Sequence, residues 1–522
     1  MATQWGIKYA VHIVSSHFGD LAAKICECLL RRGPLSQQNI ARFLETPPSQ
    51  VKTCLLLLIQ QNLVQAFTAK DPGGHGDAVK QTTEYIALFD NIIHRTRFPK
   101  FIIVVSQELE KGCVELFEGL LQHGRLTLEK LIDRAKSGKH IQENSNIENA
   151  VRENLSKLVH AHFVERCPAI EPVLAPPSED ELAAKKRASR SLKIAAGPDI
   201  VQRVLEAAAP MESKRFLFMS DENCIDSEKA EASFVDVGEK RKHSLLASDS
   251  DLGIKEEVLW RANYEEFLRR FRHKACVENV RERLDDGAAI ALSSMLEAGR
   301  RLESKLKTET SVSVSINAIY EEAMKAEVGR SMTLDDLRDY LTLLECQKGA
   351  DESYSIDLKS ILELAQNEEV ESIVLKKYGK DSYRIFRLLS KEGHLVETDK
   401  ISDTAFVDKK EAPKILYKLW KDEYVYMQKV TVMGNRQSQF VLWKVNKATL
   451  WKNVENDMYH AALNLSLRVA HEMEQGKELL SLPVEKRVGT LGEKVNRLRR
   501  IRLVLEESLS KLDDAIMLFH VF

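Results

Sequence analysis

One pattern comes back four times along this chain, and repetition at domain scale constrains architecture before any single residue does. A helix ending near a glycine leads to a short apolar segment, a small second helix, a third helix and an alternating apolar run. The clearest copy stands at the start: HFGDLAAKICECLLRRGPL, then SQQNIARFL, then PPSQVKTCLLLLIQQN, then LVQAFT and TTEYIALF. This is the sequence shape of a winged helix, the helix-turn-helix variant with a small β-wing. It predicts a chain of adaptor modules rather than one catalytic core.

The first module takes residues 1–90. Phe18 to Arg31 reads as a helix because Leu21, Ile25, Cys28 and Leu29 recur at helical spacing. Gly33-Pro34 stops it, Ser36 is placed to cap the short helix ending at Leu44, and Pro48 suits the first turn of the third. DPGGHGD, from Asp71 to Asp77, is the loop between the wing strands. The second module, 91–177, repeats the order with Phe101 to Leu109, Val114 to Leu121 ending at Gly124, Thr127 to Ala135, and Asn146 to His160. Its wing starts at Phe163.

Residues 178–250 are acid-rich and poor in aromatics, which predicts a mostly disordered linker with one short helix after Pro198. The third module, 251–358, starts its pattern at Trp260, with helices Tyr264 to Leu284, Ala288 to Leu302, Ile316 to Lys325 and Thr333 to Cys346. The fourth, 359–447, closes on YVYMQKV and QFVLWKV, a hairpin with Gly434-Asn435 at its tip. In 448–522, Leu491, Val495, Leu498, Leu505, Leu509, Leu512, Ile516 and Phe519 keep a 4-3 spacing broken only at Arg502. That is a coiled-coil seam, and the break at Pro483 predicts two helices folding back on each other. The expected fold is therefore mainly α with small β-wings: four tandem winged-helix domains followed by a C-terminal antiparallel coiled-coil hairpin.

Charge narrows the function. Lys+Arg number 76 and Asp+Glu 78 in 522 residues, a formal charge of -2, whereas a protein living by non-specific phosphate binding is normally basic. Nucleic-acid contact is expected only from local patches. The eight cysteines form no C-x-x-C, which suits a reducing compartment. The first 20 residues carry no signal-peptide pattern, and the apolar run Leu55 to Ile59 is far too short to span a bilayer.

A winged helix usually reads DNA with its third helix. Here the first of these helices offers Lys52 among apolar residues, and the second balances Arg152 and Lys157 against Glu148 and Glu153. The third carries Asp335, Asp336 and Asp339. Only the fourth is clearly basic: Lys410, Lys414, Lys418 and Lys421 share one helix face while Ile415, Leu416 and Leu419 face the core. With Arg436 at the wing tip, these lysines are the candidate nucleic-acid contact; a solvated lysine face is the plainer reading. Lys185, Lys186, Arg187 and Arg190 form a second basic cluster, read as a nuclear-import or phosphate-contact segment or as a solvated run. His160 and His162 lack a third ligand nearby, and GGHG at Gly73 lacks the lysine of a phosphate loop. No catalytic, cofactor-binding or metal site is expected.

The FG and LLRRG of the first helix, the PLS that follows, VKTCLLLLIQQNLV, YKLWKDEYVYMQKV and the terminal seam together resemble one family. It is the winged-helix subunit specific to RNA polymerase III, the largest member of that enzyme's initiation trimer, similar to the alpha subunit of transcription factor IIE. The resemblance implies a non-catalytic nuclear subunit, without cofactors, that sits on the polymerase clamp and assists promoter opening on genes for small untranslated RNAs. It implies as partners the polymerase III core, a smaller winged-helix subunit, an acidic-tailed subunit and DNA, with no membrane. A stand-alone winged-helix regulator is the first rival, but it would carry several basic third helices. A scaffold of the proteasome-lid or signalosome kind is the second, but it would carry one winged helix after a long solenoid.

Overall fold

The computed structural model describes residues 3–70, 81–138, 144–174, 200–218, 258–303, 308–327, 329–349, 351–432, 438–481, 483 and 489–522. The cluster Lys185, Lys186, Arg187 and Arg190, the DPGGHGD loop, and Gly434, Asn435 and Arg436 lie outside these residues. The described chain is mostly helical with four small sheets, and falls into two compact units: residues 13–267, and residues 1–12 with 268–522. No described helix is long and apolar enough to cross a membrane.

Helix α1 (Gln4–Phe18) opens the chain, and α2 (Asp20–Arg32) follows. The second helix ends because Gly33 adopts φ +83°, a left-handed state most side chains avoid. β1 (Leu35–Ser36) leads into α3 (Gln37–Leu44), whose first turn is capped by the Ser36 hydroxyl accepting from the Asn39 N–H. α4 (Pro48–Gln60) begins on its proline. Strands β2 (Val64–Lys70) and β3 (Gln81–Ala87) form the wing, and the sheet order is β1-β3-β2. Val51, Leu55 and Leu58 of α4 and Ile25 and Leu29 of α2 are buried.

The second set begins with α5 (Phe89–His94), α6 (Phe98–Glu108) and α7 (Lys111–His123), followed by β4 (Leu126–Thr127), α8 (Leu128–Gly138), α9 (Asn144–His160) and β5 (Val164–Arg166). β6 (Val173–Leu174) then runs parallel to β2, adding a fourth strand to the first sheet. α10 (Ile200–Ala208) occupies the place expected for the short helix after Pro198, and buries Val204 against Phe67 and Ile86. After α11 (Glu212–Arg215), Arg215 donates to Glu165 at 2.5 Å and to Glu265 at 2.7 Å. Residues 200–218 thus carry two short helices where one was expected. Burial lowers the pKa of the Arg215 and Arg261 guanidiniums, but the nearby anionic groups outweigh this and raise both, Glu165 foremost at each and Glu265 adding to it at Arg215.

A larger correction concerns the boundary at 251. β7 (Leu259–Ala262) pairs Trp260 with both Leu126 and Arg166, closing the second sheet in the order β4-β7-β5. Trp260 therefore belongs to the second module, not the third. The reason is burial: Trp260 and Ala262 alternate inward, and Phe267 stacks on Phe101 at 4.6 Å and on Phe163 at 5.1 Å between ring centres. An aromatic core of this size needs all its members, wherever in the chain they stand.

In the other unit, α12 (Tyr264–Arg283) contributes from Leu268 onward, and α13 (Asp286–Gly299) is capped by Asp285. β8 (Val314–Ser315), α14 (Ile316–Lys325), α15 (Leu334–Leu343), β9 (Gln347–Lys348) and β10 (Ser353–Ser355) complete the third module, with sheet order β8-β10-β9. Leu292, Ile319, Leu337, Leu341 and Leu358 are fully buried in its core. Beside that core, Glu303 is buried among basic side chains of α12. Its oxygens lie 3.1 Å from His273 Nε2, 3.6 Å from Arg269 and 3.8 Å from Arg272, and Thr308 donates to it at 2.9 Å.

α16 (Leu358–Tyr378), α17 (Lys380–Glu392), β11 (Val396–Glu397), α18 (Thr398–Ala405), α19 (Ala412–Lys421), β12 (Tyr426–Val432) and β13 (Ser438–Lys444) form the fourth module, with sheet order β11-β13-β12. α20 (Lys447–Gln475), the short α21 (Lys477–Ser481) and α22 (Thr490–His520) end the chain. α20 and α22 pack in opposite directions: His520 meets Glu455 at 2.7 Å and Leu498 reaches Gly476. Trp5 of α1 stacks on His460 of α20, ring centres 3.8 Å apart.

Two measurements check this packing. Gly124 has φ +78°, and a Cβ there would stand 2.1 Å from the Gln60 carbonyl oxygen. Gly124→Ala should lose at least about 2 kcal/mol in denaturant unfolding, from backbone strain plus overlap; an unchanged midpoint would show that the two segments are not in contact. Burial raises the Glu303 pKa, but His273, Thr308 and Arg272 outweigh it and hold the carboxyl below the ordinary glutamate range. A depressed carboxylate stabilises above its unfolded pKa of about 4.3 and loses that contribution as pH falls through the folded value. The stability gap between the native chain and Glu303→Gln should be widest near neutrality and shrink below about pH 4. A gap that stays constant with pH would rule out an ionised Glu303.

Candidate nucleic-acid interface

The helix preceding each wing differs in what it presents. On α4, Leu56 is 58% exposed and Leu57 40%, beside an exposed Lys52. On α9, Lys157 lies 2.9 Å from Glu153 and 3.4 Å from Glu110, while Glu148 is taken by Lys136 at 2.6 Å. On α15, Asp335, Asp336 and Asp339 are exposed, Asp336 also closing a reciprocal cap with Thr333. These three faces are apolar, neutralised and acidic in turn, and none presents a row of unpaired cations to a phosphate backbone.

α19 is different. It starts on Ala412-Pro413, with Pro413 tolerated because the first helical turn has no partner for its missing N–H. Leu416 and Leu419 are fully buried and Ile415 half-buried, which fixes the rotation of the helix. Lys414, Lys418 and Lys421 then emerge on the opposite side, and all are exposed. Lys410 is exposed too but precedes the helix, in the turn where its N–H bonds Asp408.

The four lysines are not equivalent. Lys414 donates to Glu411 at 2.8 Å, which raises its pKa and offsets its charge. Lys418 lies over the Tyr378 ring, 5.2 Å from its centre, a cation–π contact. Tyr378 is itself held by a short hydrogen bond to Asp422, and burial followed by that bond pushes its phenol pKa upward. Tyr424, packed edge-on to it, is pushed up to about 12 by burial and the nearby Asp457 and Asp422. Neither phenol ionises near neutrality, so Lys418 faces a neutral ring.

Two aromatics flank the lysines. Tyr417 is 57% exposed and Trp420 37%, with ring centres 5.3 Å apart. The sequence reading missed them, although YKLWK carries the signal: both stand off the face that Leu416 and Leu419 bury. Cations beside exposed aromatic faces suit a strand of nucleic acid, the cations on phosphates and the rings on bases.

Taken together, the elements are those of helix-turn-helix and winged-helix domains. The model of the RNA polymerase III subunit RPC82 helix-turn-helix domain matches residues 8–69, that of RNA polymerase III subunit RPC82 matches 153–371, and that of the POLR3C C-terminal winged-helix domain matches 370–445. DNA-directed RNA polymerase III subunit RPC3 of Bos taurus is 25% identical over 493 residues, covering 92% of this chain and 86% of its own. The Homo sapiens subunit RPC3 gives the same identity and coverage. Its counterpart in Dictyostelium discoideum is 22% identical over 620 residues, with 91% and 92% covered. The chain belongs to the RPC82/RPC3 family of RNA polymerase III subunits.

Proposed function

We propose that this chain is a non-catalytic, nuclear subunit of RNA polymerase III. It scaffolds the initiation subcomplex on the polymerase clamp and assists promoter opening at genes for small untranslated RNAs. Its partners on this reading are the polymerase core, a smaller winged-helix subunit and an acidic-tailed subunit. Four tandem winged helices and a terminal coiled-coil hairpin, closed within the chain, supply the scaffold. Family membership over most of the chain carries this reading, and it disfavours both a stand-alone regulator and a proteasome-lid or signalosome scaffold.

DNA contact falls on the fourth module in this proposal. Lys410, Lys414, Lys418 and Lys421, with Arg436, supply phosphate contacts, and the exposed Tyr417 and Trp420 adjoin them. Such contacts add affinity and orientation without reading sequence. The basic cluster Lys185, Lys186, Arg187 and Arg190 serves nuclear import or a further phosphate contact.

Changing the four α19-side lysines to glutamine should weaken DNA binding by the assembled complex on every sequence alike. On duplex DNA the salt slope should fall by about 0.9 per lost contact. Assembly should survive, because Leu416 and Leu419 are untouched. Glu411→Gln should act in the opposite direction, since it frees Lys414 from its ion pair. Unchanged affinity and slope in the quadruple variant would leave the lysines as a solvated face and move the DNA role elsewhere.

A further inference from the structure

A second feature of the fourth module stands apart from the α19 lysines. A groove of about 520 Å³ opens between α17 and the end of α18, and none of those lysines lines it. Its α17 wall carries Arg384, Arg387 and Lys391, all exposed. Their spacing at i, i+3 and i+7 sets them on one helix face, stepping along it by about 4.5 and 6 Å. Their present ion pairs are loose: Arg384 lies 3.5 Å from Asp381, and Arg387 lies 3.8 Å from Glu371. Arg387 is oriented by donating to the Tyr383 hydroxyl at 2.8 Å. The floor is aliphatic, made by Leu388 and Ala405.

Phe406 forms the rim. It is 89% exposed, the highest value among the exposed large hydrophobic residues described. It also sits at φ 54°, ψ 47°, where it ends α18 in the left-handed region. Glycine or asparagine adopts that state far more readily than a phenylalanine does. An apolar ring kept in water on an unfavourable backbone is a poor choice for folding, and such residues gather at binding sites.

We propose that this groove docks an extended acidic segment of a partner protein. Carboxylates of the segment engage Arg384, Arg387 and Lys391, and one apolar side chain rests on Leu388 against the Phe406 ring. Charge complementarity selects the occupant: guanidinium forks match carboxylates in two-point geometry. Side chains on one side of an extended peptide recur about every 7 Å, near the step of about 6 Å from Arg387 to Lys391, and the long Arg384 side chain makes up the shorter step before it. Leu388 and Ala405 give an aliphatic floor for an apolar peptide side chain; Tyr383 and Phe406 are the aromatics of the lining, and the oligonucleotide arm of the test below separates a base from a peptide there.

The test uses the full chain and a fluorescein-labelled peptide with glutamate at alternate positions and one central leucine, followed by anisotropy. Saturable binding is expected, weakened at least tenfold in Arg387→Gln/Lys391→Gln and in Phe406→Gly. It should persist in the quadruple α19 lysine variant, so that failure here is distinct from failure of the DNA reading. Phe406→Gly should melt at the same temperature as the native chain or higher, since glycine relaxes the left-handed backbone. Peptide binding indifferent to both groove variants would overturn the proposal. So would a clear drop in melting temperature for Phe406→Gly, which would make the ring a packing residue. So, too, would a single-stranded oligonucleotide whose own binding is lost in the groove variants and which displaces the peptide.

Discussion

The unit formed by residues 13–267 depends on Phe267 reaching the aromatic core of the second module. That ring lies between Phe101, Phe117 and Phe163, all fully buried, with centre-to-centre distances of 4.6 to 5.3 Å. It arrives with β7, the middle strand of the β4-β7-β5 sheet, from the far side of a long insertion. Without β7, the two-residue β4 and three-residue β5 have no ladder between them. The insertion is tied down at intervals, by Val204 in the first module's core and by Arg215 on the buried Glu165. Removing the Glu165 carboxylate would leave two largely buried guanidiniums, Arg215 and Arg261, short of their shared partner, which is far more damaging than losing an exposed pair.

The helices that precede the small sheets carry different surfaces. The core positions of the helix before each wing are conserved in character, apolar and buried, because they must pack. The outward positions are free to diverge, and they do: exposed leucines on α4, self-neutralised charges on α9, aspartates on α15, lysines and aromatics on α19. A net charge of -2 over the whole chain conceals this division. It is the distribution of charge among modules, rather than its sum, that bears on which face meets nucleic acid and which meets protein.

Local features were legible in the sequence. Gly33 and Gly124 end helices, Ser36 caps α3, and the core face of α19 follows from Leu416 and Leu419 at helical spacing. Each of these is decided within a few residues. What escaped was non-local. Nothing in LWRA announces that its partner strands lie at Leu126 and Arg166, so the sequence pattern alone puts it with the helices that follow. Acid-rich composition pointed to a mostly disordered 178–250 with one short helix after Pro198; what it did not show is the second helix, α11, or the Arg215–Glu165 pair that it carries. At the candidate site the lysine spacing was readable. Its partners were not: the Lys418–Tyr378 contact joins residues from α19 and α16, and the left-handed Phe406 has no sequence signature at all.

What this chain is assembled with decides whether it works as a polymerase III subunit. Native purification of a tagged, full-length chain from its own cells, with mass spectrometry of the co-purifying proteins, tests that most directly. The account predicts stoichiometric recovery of the RNA polymerase III core together with a smaller winged-helix subunit and an acidic-tailed one. Recovery of the chain by itself, or with a set of proteins lacking every polymerase III subunit, would contradict it.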